Sequence, residues 1–162
     1  MTTDSAHHYW NDMWAKADGT SKWAQPEPEV IAHARTLPKG SRVLDLGAGI
    51  GRHALALAQM GFDVAALDAA PESLAAMRAG ADTLGVTLDL HQGLMTALPY
   101  PDASFDHVLS WNVIYHGDET VVAQSIAPCR PARRTPRYCA RFRAPWPWPV
   151  PQERAGPTAW CP

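Results

Sequence analysis

Val43-Leu44-Asp45-Leu46-Gly47-Ala48-Gly49-Ile50-Gly51-Arg52 is the stretch on which the reading of this chain turns. Val43 to Leu46 is a short apolar run with one acid, bounded by glycine, which is the pattern of a buried strand in a parallel sheet. From Arg52 to Met60 the spacing becomes helical. The glycines therefore sit in a strand-to-helix turn. Glycine there permits positive φ and lets a ligand lie against bare backbone. The helix that follows presents unpaired N–H groups to such a ligand.

The spacing narrows the choice of ligand. Dinucleotide sites use G-x-G-x-x-G. Here the third glycine comes one residue early, and Arg52 fills the dinucleotide position. Asp45, two residues before Gly47, would repel a pyrophosphate and suits a ligand carrying an ammonium or sulfonium charge. The run resembles motif I of the class I S-adenosylmethionine-dependent methyltransferases, acid-x-Gly-x-Gly-x-Gly. That resemblance implies that Asp45, Gly47, Ala48, Gly49 and Gly51 hold the methionine end of S-adenosylmethionine. A tight turn with no ligand is the plainer alternative, and the motifs downstream speak against it.

Phe62 to Leu67 reads as a second strand ending at Asp68. An acid at this strand tip holds ribose hydroxyls in nucleotide-binding βαβ units, about 20 residues beyond the glycines. A helix cap is the alternative role for a lone Asp. Ala66 to Leu74 resembles the motif II region of the same family, which implies that Ala69 lies against adenine. Pro71 opens a helix running through Ala81, and Val86 to His91 alternates as a third strand. Gln92 to Val108 resembles a further family stretch, which implies that Gly93, Leu94 and Met95 border the adenine. The family usually places an acid after this glycine, where Leu94 stands here. Phe105 to Trp111 reads as a fourth strand, and substrate lies beyond the carboxyl ends of such strands. The resemblance implies that Trp111 and Asn112 face the methionine and substrate side. Asn112 and Tyr115 have the N-x-x-Y spacing of amino-methyltransferases acting on nucleic-acid bases, without the two prolines between them. His116 is a candidate general base or a structural group beside the pocket, and no catalytic residue is assigned. Asp118 to Ala127 reads as the start of a further helix.

Upstream, residues 5–17 carry Tyr9, Trp10, Met13, Trp14 and Ala17 at helical spacing. In the resembling enzymes such a segment folds over the bound cofactor; packing on the sheet through the aromatics is the alternative. Pro26 to Leu37 reads as a second helix.

Charge is distributed unevenly. Residues 1–127 hold 15 acids and 7 Lys/Arg, a net of −8, whereas residues 128–162 hold 1 acid and 7 Arg, a net of +6. All 3 cysteines and 9 of the 15 prolines also fall after residue 127. Prolines this frequent disfavour helix and central strand. The mix of Arg, Pro, Trp and Cys is what GC-rich coding DNA yields when read out of frame. A proline-rich binding tail is the alternative. The acidic body argues against a nucleic-acid backbone as partner, which would need clustered Lys/Arg. No apolar run is long enough to span a bilayer, and the N-terminus lacks a secretory pattern, so a cytoplasmic protein without a membrane partner is expected.

The expectation is an α/β chain in three parts: a helical cap at 1–40, an S-adenosylmethionine-binding domain at 41–127, and an irregular tail at 128–162. The resemblance implies a Rossmann-like parallel sheet, incomplete on its C-terminal side, with four of the class's seven strands. It implies methyl transfer from S-adenosylmethionine to a small-molecule acceptor, without a metal. The chain itself is expected to transfer poorly, since a fourth strand without a fifth beside it would be an aggregation-prone edge. A non-catalytic cofactor-binding protein and a nicotinamide oxidoreductase are the rival readings.

Overall fold

The computed structural model describes residues 3–17, 22–101, 103–113, 137–141 and 159–161. In chain order these form α1 (Thr3–Trp14), a short 3-10 turn (Lys22–Ala24), α2 (Pro28–Ala34), β1 (Arg42–Leu46), α3 (Arg52–Gln59), β2 (Asp63–Asp68), α4 (Pro71–Leu84), β3 (Asp89–Gln92), β4 (His107–Trp111), β5 (Arg137–Arg141) and β6 (Ala159–Cys161). The strands make one sheet in the order β3-β2-β1-β4-β5-β6. All neighbours are parallel except β6, which runs antiparallel to β5.

β1 is central because its apolar residues are needed on both faces. Val43 joins Val64, Ala66, Leu109 and Trp111 in a cluster with Val30 and Ala34 of α2, Ala54 and Leu57 of α3, and Leu74 and Met77 of α4. The alternate residues Leu44 and Leu46 join Ala65, Leu67 and Val108 on the opposite face, where Met95, Leu98, Tyr100 and Phe105 pack against them. Helices thus cover one face, and the long loop before β4 covers the other. Arg42 ties the strand starts together by ion pairs to Asp63 and Asp89, both at 3.3 Å.

Most elements fall where the sequence places them, with shifted ends. α4 runs on to Leu84, and its C-terminus is closed by Val86 N–H donating to Ala81 O and Gly85 N–H to Asp82 O. This Schellman-type closure takes Val86 out of the third strand, which begins at Asp89 instead. α1 ends at Trp14. The N-cap residue of α4 is Ala70, which has no capping side chain. Asn11 of α1 substitutes for one, its Oδ1 accepting from Glu72 N–H at 3.2 Å.

One expectation is overturned. The sequence reading makes β4 an edge strand, because the proline-rich tail is expected to supply no regular strand. β5 instead pairs with β4 along its whole length, from His107 opposite Arg137 to Trp111 opposite Arg141. Pro136 and Pro145 flank β5, but no proline lies within it, so its N–H groups are available to the ladder. The four expected strands keep the parallel order β3-β2-β1-β4, and β5 and β6 are described beside them. Tyr115, His116, the helix expected from Asp118 and the segment 128–136 lie outside the described residues.

Candidate functional site

A cleft opens at the carboxyl ends of β1, β2 and β4. It contains about 990 Å³ of space between atoms, its open mouth included, which is the size class of small-molecule sites. Its floor is the glycine turn. Gly47 N–H and Ala48 N–H both donate to Leu67 O, at 2.8 and 3.1 Å, and lock the turn to the end of β2. The Val113 side chain lies against Gly47 so closely that a Cβ there would overlap it. Gly51 (φ +85°) opens α3 in the left-handed region, and a Cβ there would overlap the buried Met77 side chain of α4. The third glycine thus lets α3 pack on α4.

Asp45 is the charged residue beneath this floor. It lies in the central strand, 1 % exposed, and its Oδ2 has no hydrogen-bond partner among the described residues. Burial pushes its pKa up to about 7, with the Asp68 carboxylate adding to the rise; the Ala54 N–H and the Arg52 guanidinium oppose it. Asp68 is bound differently. Its Oδ2 accepts from Gly49 N–H at 2.7 Å, and its Oδ1 accepts from Ala70 N–H at 2.9 Å and Ser73 Oγ–H at 3.0 Å. Burial raises its pKa, against the pull of these donors. Ala69 N–H is a further donor to this carboxylate, and Asp68 lines the cleft.

The structure brings Asp45, Gly47, Ala48, Gly49 and Asp68 to the cleft together with Ala69, Gly93, Leu94, Met95 and Trp111. Gly51 is the exception among the sequence-derived site residues, since it shapes the floor from below without lining it. Asn112, also expected here, lines the cleft with positive φ and an Oδ1 that has no partner among the described residues.

The sequence left the role of the opposite wall open and gave no sign of its fastening. Trp10, Trp14 and Trp23 line the cleft across from the glycine turn, and the Trp14 ring lies 3.1 Å from where a Gly49 Cβ would sit. Trp10 stacks on Trp14 at 5.2 Å, and Trp23 meets both rings edge-on. Of the two roles left open for α1, Trp10 and Trp14 face the cleft. Arg52 holds this wall in place. It pairs with Glu27 at 3.1 Å, donates to Gln25 O and stacks over the Trp23 ring at 5.4 Å. His53 reinforces it, its Nε2 accepting from Glu27 N–H at 3.2 Å. Burial and the nearby Arg52 push the His53 pKa down to about 3. The ring is therefore neutral, and its Nε2 lone pair is already used. The local signal was only a polar pair in the first turn of α3; its partners lie more than 20 residues upstream.

Among the described residues, no helix is long and apolar enough to cross a membrane.

A Rossmann-like parallel sheet with its cleft beyond the carboxyl ends of the strands places the chain among the doubly wound α/β proteins. The chain belongs to the methyltransferase domain family, whose family model matches residues 43–132. It is 33 % identical over 124 residues to an uncharacterized protein of Mycobacterium tuberculosis, an alignment covering 74 % of this chain and 45 % of the relative. It is 38 % identical over 78 residues to the ubiquinone biosynthesis O-methyltransferase of Azorhizobium caulinodans, covering 48 % of this chain and 31 % of that one. The chain thus spans less than half the length of these relatives. A solved structure of a SAM dependent methyltransferase from Aquifex aeolicus shares the fold, with a TM-score of 0.67 at 20 % identity over 88 % of this chain and 79 % of that one. Family membership leaves the nicotinamide oxidoreductase reading without support.

Proposed function

We propose that this chain binds S-adenosylmethionine in the cleft and directs its methyl group to a small-molecule acceptor. The observation that carries the reading is Asp45, a buried carboxylate with one unpartnered oxygen beneath a glycine turn. Such a group is costly to keep ionised unless a cation compensates it, and a cofactor with ammonium and sulfonium charges provides that compensation. In this reading residues 41–127 form the cofactor-binding unit under the 1–40 cap. Asp45 and the backbone of Gly47, Ala48 and Gly49 border the methionine part, and Asp68 takes a ribose hydroxyl. Ala69, Gly93, Leu94 and Met95 border the adenine. When bound, the cofactor supplies an electrophilic methyl group on sulfur. The protein contributes position and dryness: the Trp wall excludes water, and Asn112 Oδ1 offers an acceptor to an incoming N–H or O–H. Holding the nucleophile in line accounts for much of the rate in such a reaction, so a dedicated base is not required. The printed name of the A. caulinodans relative, an O-methyltransferase of ubiquinone biosynthesis, supports a small-molecule acceptor, as does the acidic body.

Calorimetric titration with S-adenosylmethionine, S-adenosylhomocysteine and NAD tests the reading. The two sulfur compounds are expected to bind and NAD is not; the reverse order would sink it. Binding without methyl loss to any acceptor would identify a non-catalytic binding protein. Asp68→Ala is expected to weaken S-adenosylhomocysteine by about 1.5–3 kcal/mol, the worth of a hydrogen bond to a charged group. Because Asp68 also ties the glycine turn to α4, its melting temperature should fall too. Equal affinity in wild type and variant would remove Asp68 from the ribose site. Leu94→Asp is expected to tighten binding by about 1 kcal/mol, the net worth of one hydrogen bond, by offering an acceptor to the adenine amino group. A folded variant with unchanged affinity would mean that the loop directs this side chain elsewhere.

A further inference from the structure

We propose that Ser73 is a positioning residue of the cleft, acting through Asp68 to set which oxygen of that carboxylate meets a bound nucleoside. The inference rests on the cofactor reading above. Ser73 lies in the first turn of α4 and is 0 % exposed. A buried hydroxyl needs a partner. In the first turn of a helix the usual recipients of a serine hydroxyl are neighbouring backbone groups. Ser73 instead donates to the Asp68 side chain five residues earlier, at 3.0 Å. Ala70 N–H binds the same oxygen at 2.9 Å, so Oδ1 is held from two directions. Gly49 N–H holds Oδ2, at 2.7 Å, and Ala69 N–H adds a further backbone donor to the carboxylate.

The consequence is an asymmetric carboxylate. Oδ1 is saturated by two donors and committed to the fold. Oδ2 faces the glycine turn through its bond from Gly49 N–H. Without the Ser73 hydroxyl, Oδ1 would lose one of its two donors, and the carboxylate would be held less tightly in this orientation by Ala70 N–H and Gly49 N–H. Ser73 itself does not line the cleft, so its effect on a ligand must pass through Asp68. That effect should be confined to the part of the ligand that Asp68 meets.

The test compares two probes, S-adenosylhomocysteine and its 2′,3′-dideoxy analogue, on wild type, Ser73→Ala and Ser73→Thr by calorimetry. Wild type is expected to favour the ribose compound by about tenfold or more, the range for a charge-assisted hydrogen bond. In Ser73→Ala that preference is expected to fall at least about threefold, while affinity for the dideoxy compound holds within about twofold. Ser73→Thr, which keeps the hydroxyl, is expected to retain the preference. If Ser73→Ala weakens both probes equally, the serine only supports the helix and the inference fails while the cofactor reading stands. If wild type binds the ribose compound without preferring it, Asp68 does not read the ribose and the inference fails with that assignment. If wild type binds neither probe, the cofactor reading fails and takes the inference with it.

Discussion

Affinity for S-adenosylmethionine is expected to rise about tenfold with each unit of increasing pH up to about 7, then to level off. The cause is Asp45. Its pKa in the ligand-free fold is pushed up to about 7, so at lower pH it carries a proton that a cationic ligand must displace. Each unit below the pKa then costs about 1.4 kcal/mol of binding. The other charged groups facing the site act differently. His53 is already neutral, with its pKa down to about 3, and Arg52 stays cationic. Asp68 has a raised pKa of its own and adds to the slope in the same direction. Asp45→Asn should bind weakly at pH 8 and lose most of the slope. An affinity independent of pH in wild type would show that the ligand does not ionise Asp45.

The same residue affects folding with the opposite sign. The unfolded chain releases the Asp45 proton near 3.8, the folded chain near 7. Between those values the folded state holds the extra proton, so ligand-free stability falls as pH rises through this window. Asp45→Asn should therefore melt higher than wild type at pH 8 while binding worse. This is the trade expected where a functional group is strained by its site.

Gly51→Ala is expected to lower stability by about 2–5 kcal/mol. The left-handed backbone contributes about 1–2 kcal/mol, and displacing the buried Met77 side chain contributes about 1–3 kcal/mol. For a chain of this size the melting temperature should drop by roughly 5–15 °C. Gly61→Ala is the control. Gly61 also has positive φ, but no atom lies within 4 Å of its would-be Cβ, so only the backbone part should appear. Equal losses in the two variants would mean that Met77 simply moves aside and that the third glycine is not required for α3 to pack on α4.

The glycine turn, Asp45 and Asp68 were legible because their determinants are local. A strand, three glycines and a helix lie within about ten residues, and the second acid comes at the expected chain distance. Arg52 and His53 were not legible as site-builders, because a polar pair in the first turn of α3 does not reveal that it grips Gln25 and Glu27. Trp10 and Trp14 showed a helical face, but the sequence left open what the face meets. β5 was missed for a different reason. The prolines are dense over the tail as a whole, whereas a five-residue strand needs only a short proline-free window beside an open neighbour, and residues 137–141 provide one.

The grip of Arg52 and His53 on residues 23–27 makes the cleft a joint between two segments far apart in the chain. One wall belongs to the N-terminal cap and the other to the sheet, and a molecule held between them touches both. Thermodynamic reciprocity then applies. Whatever factor the docked cap adds to ligand affinity, the ligand must add to the docking equilibrium of the cap. The three tryptophans of that cap make the equilibrium visible. Their indole emission should change on ligand binding by an amount set by the fraction of caps undocked beforehand.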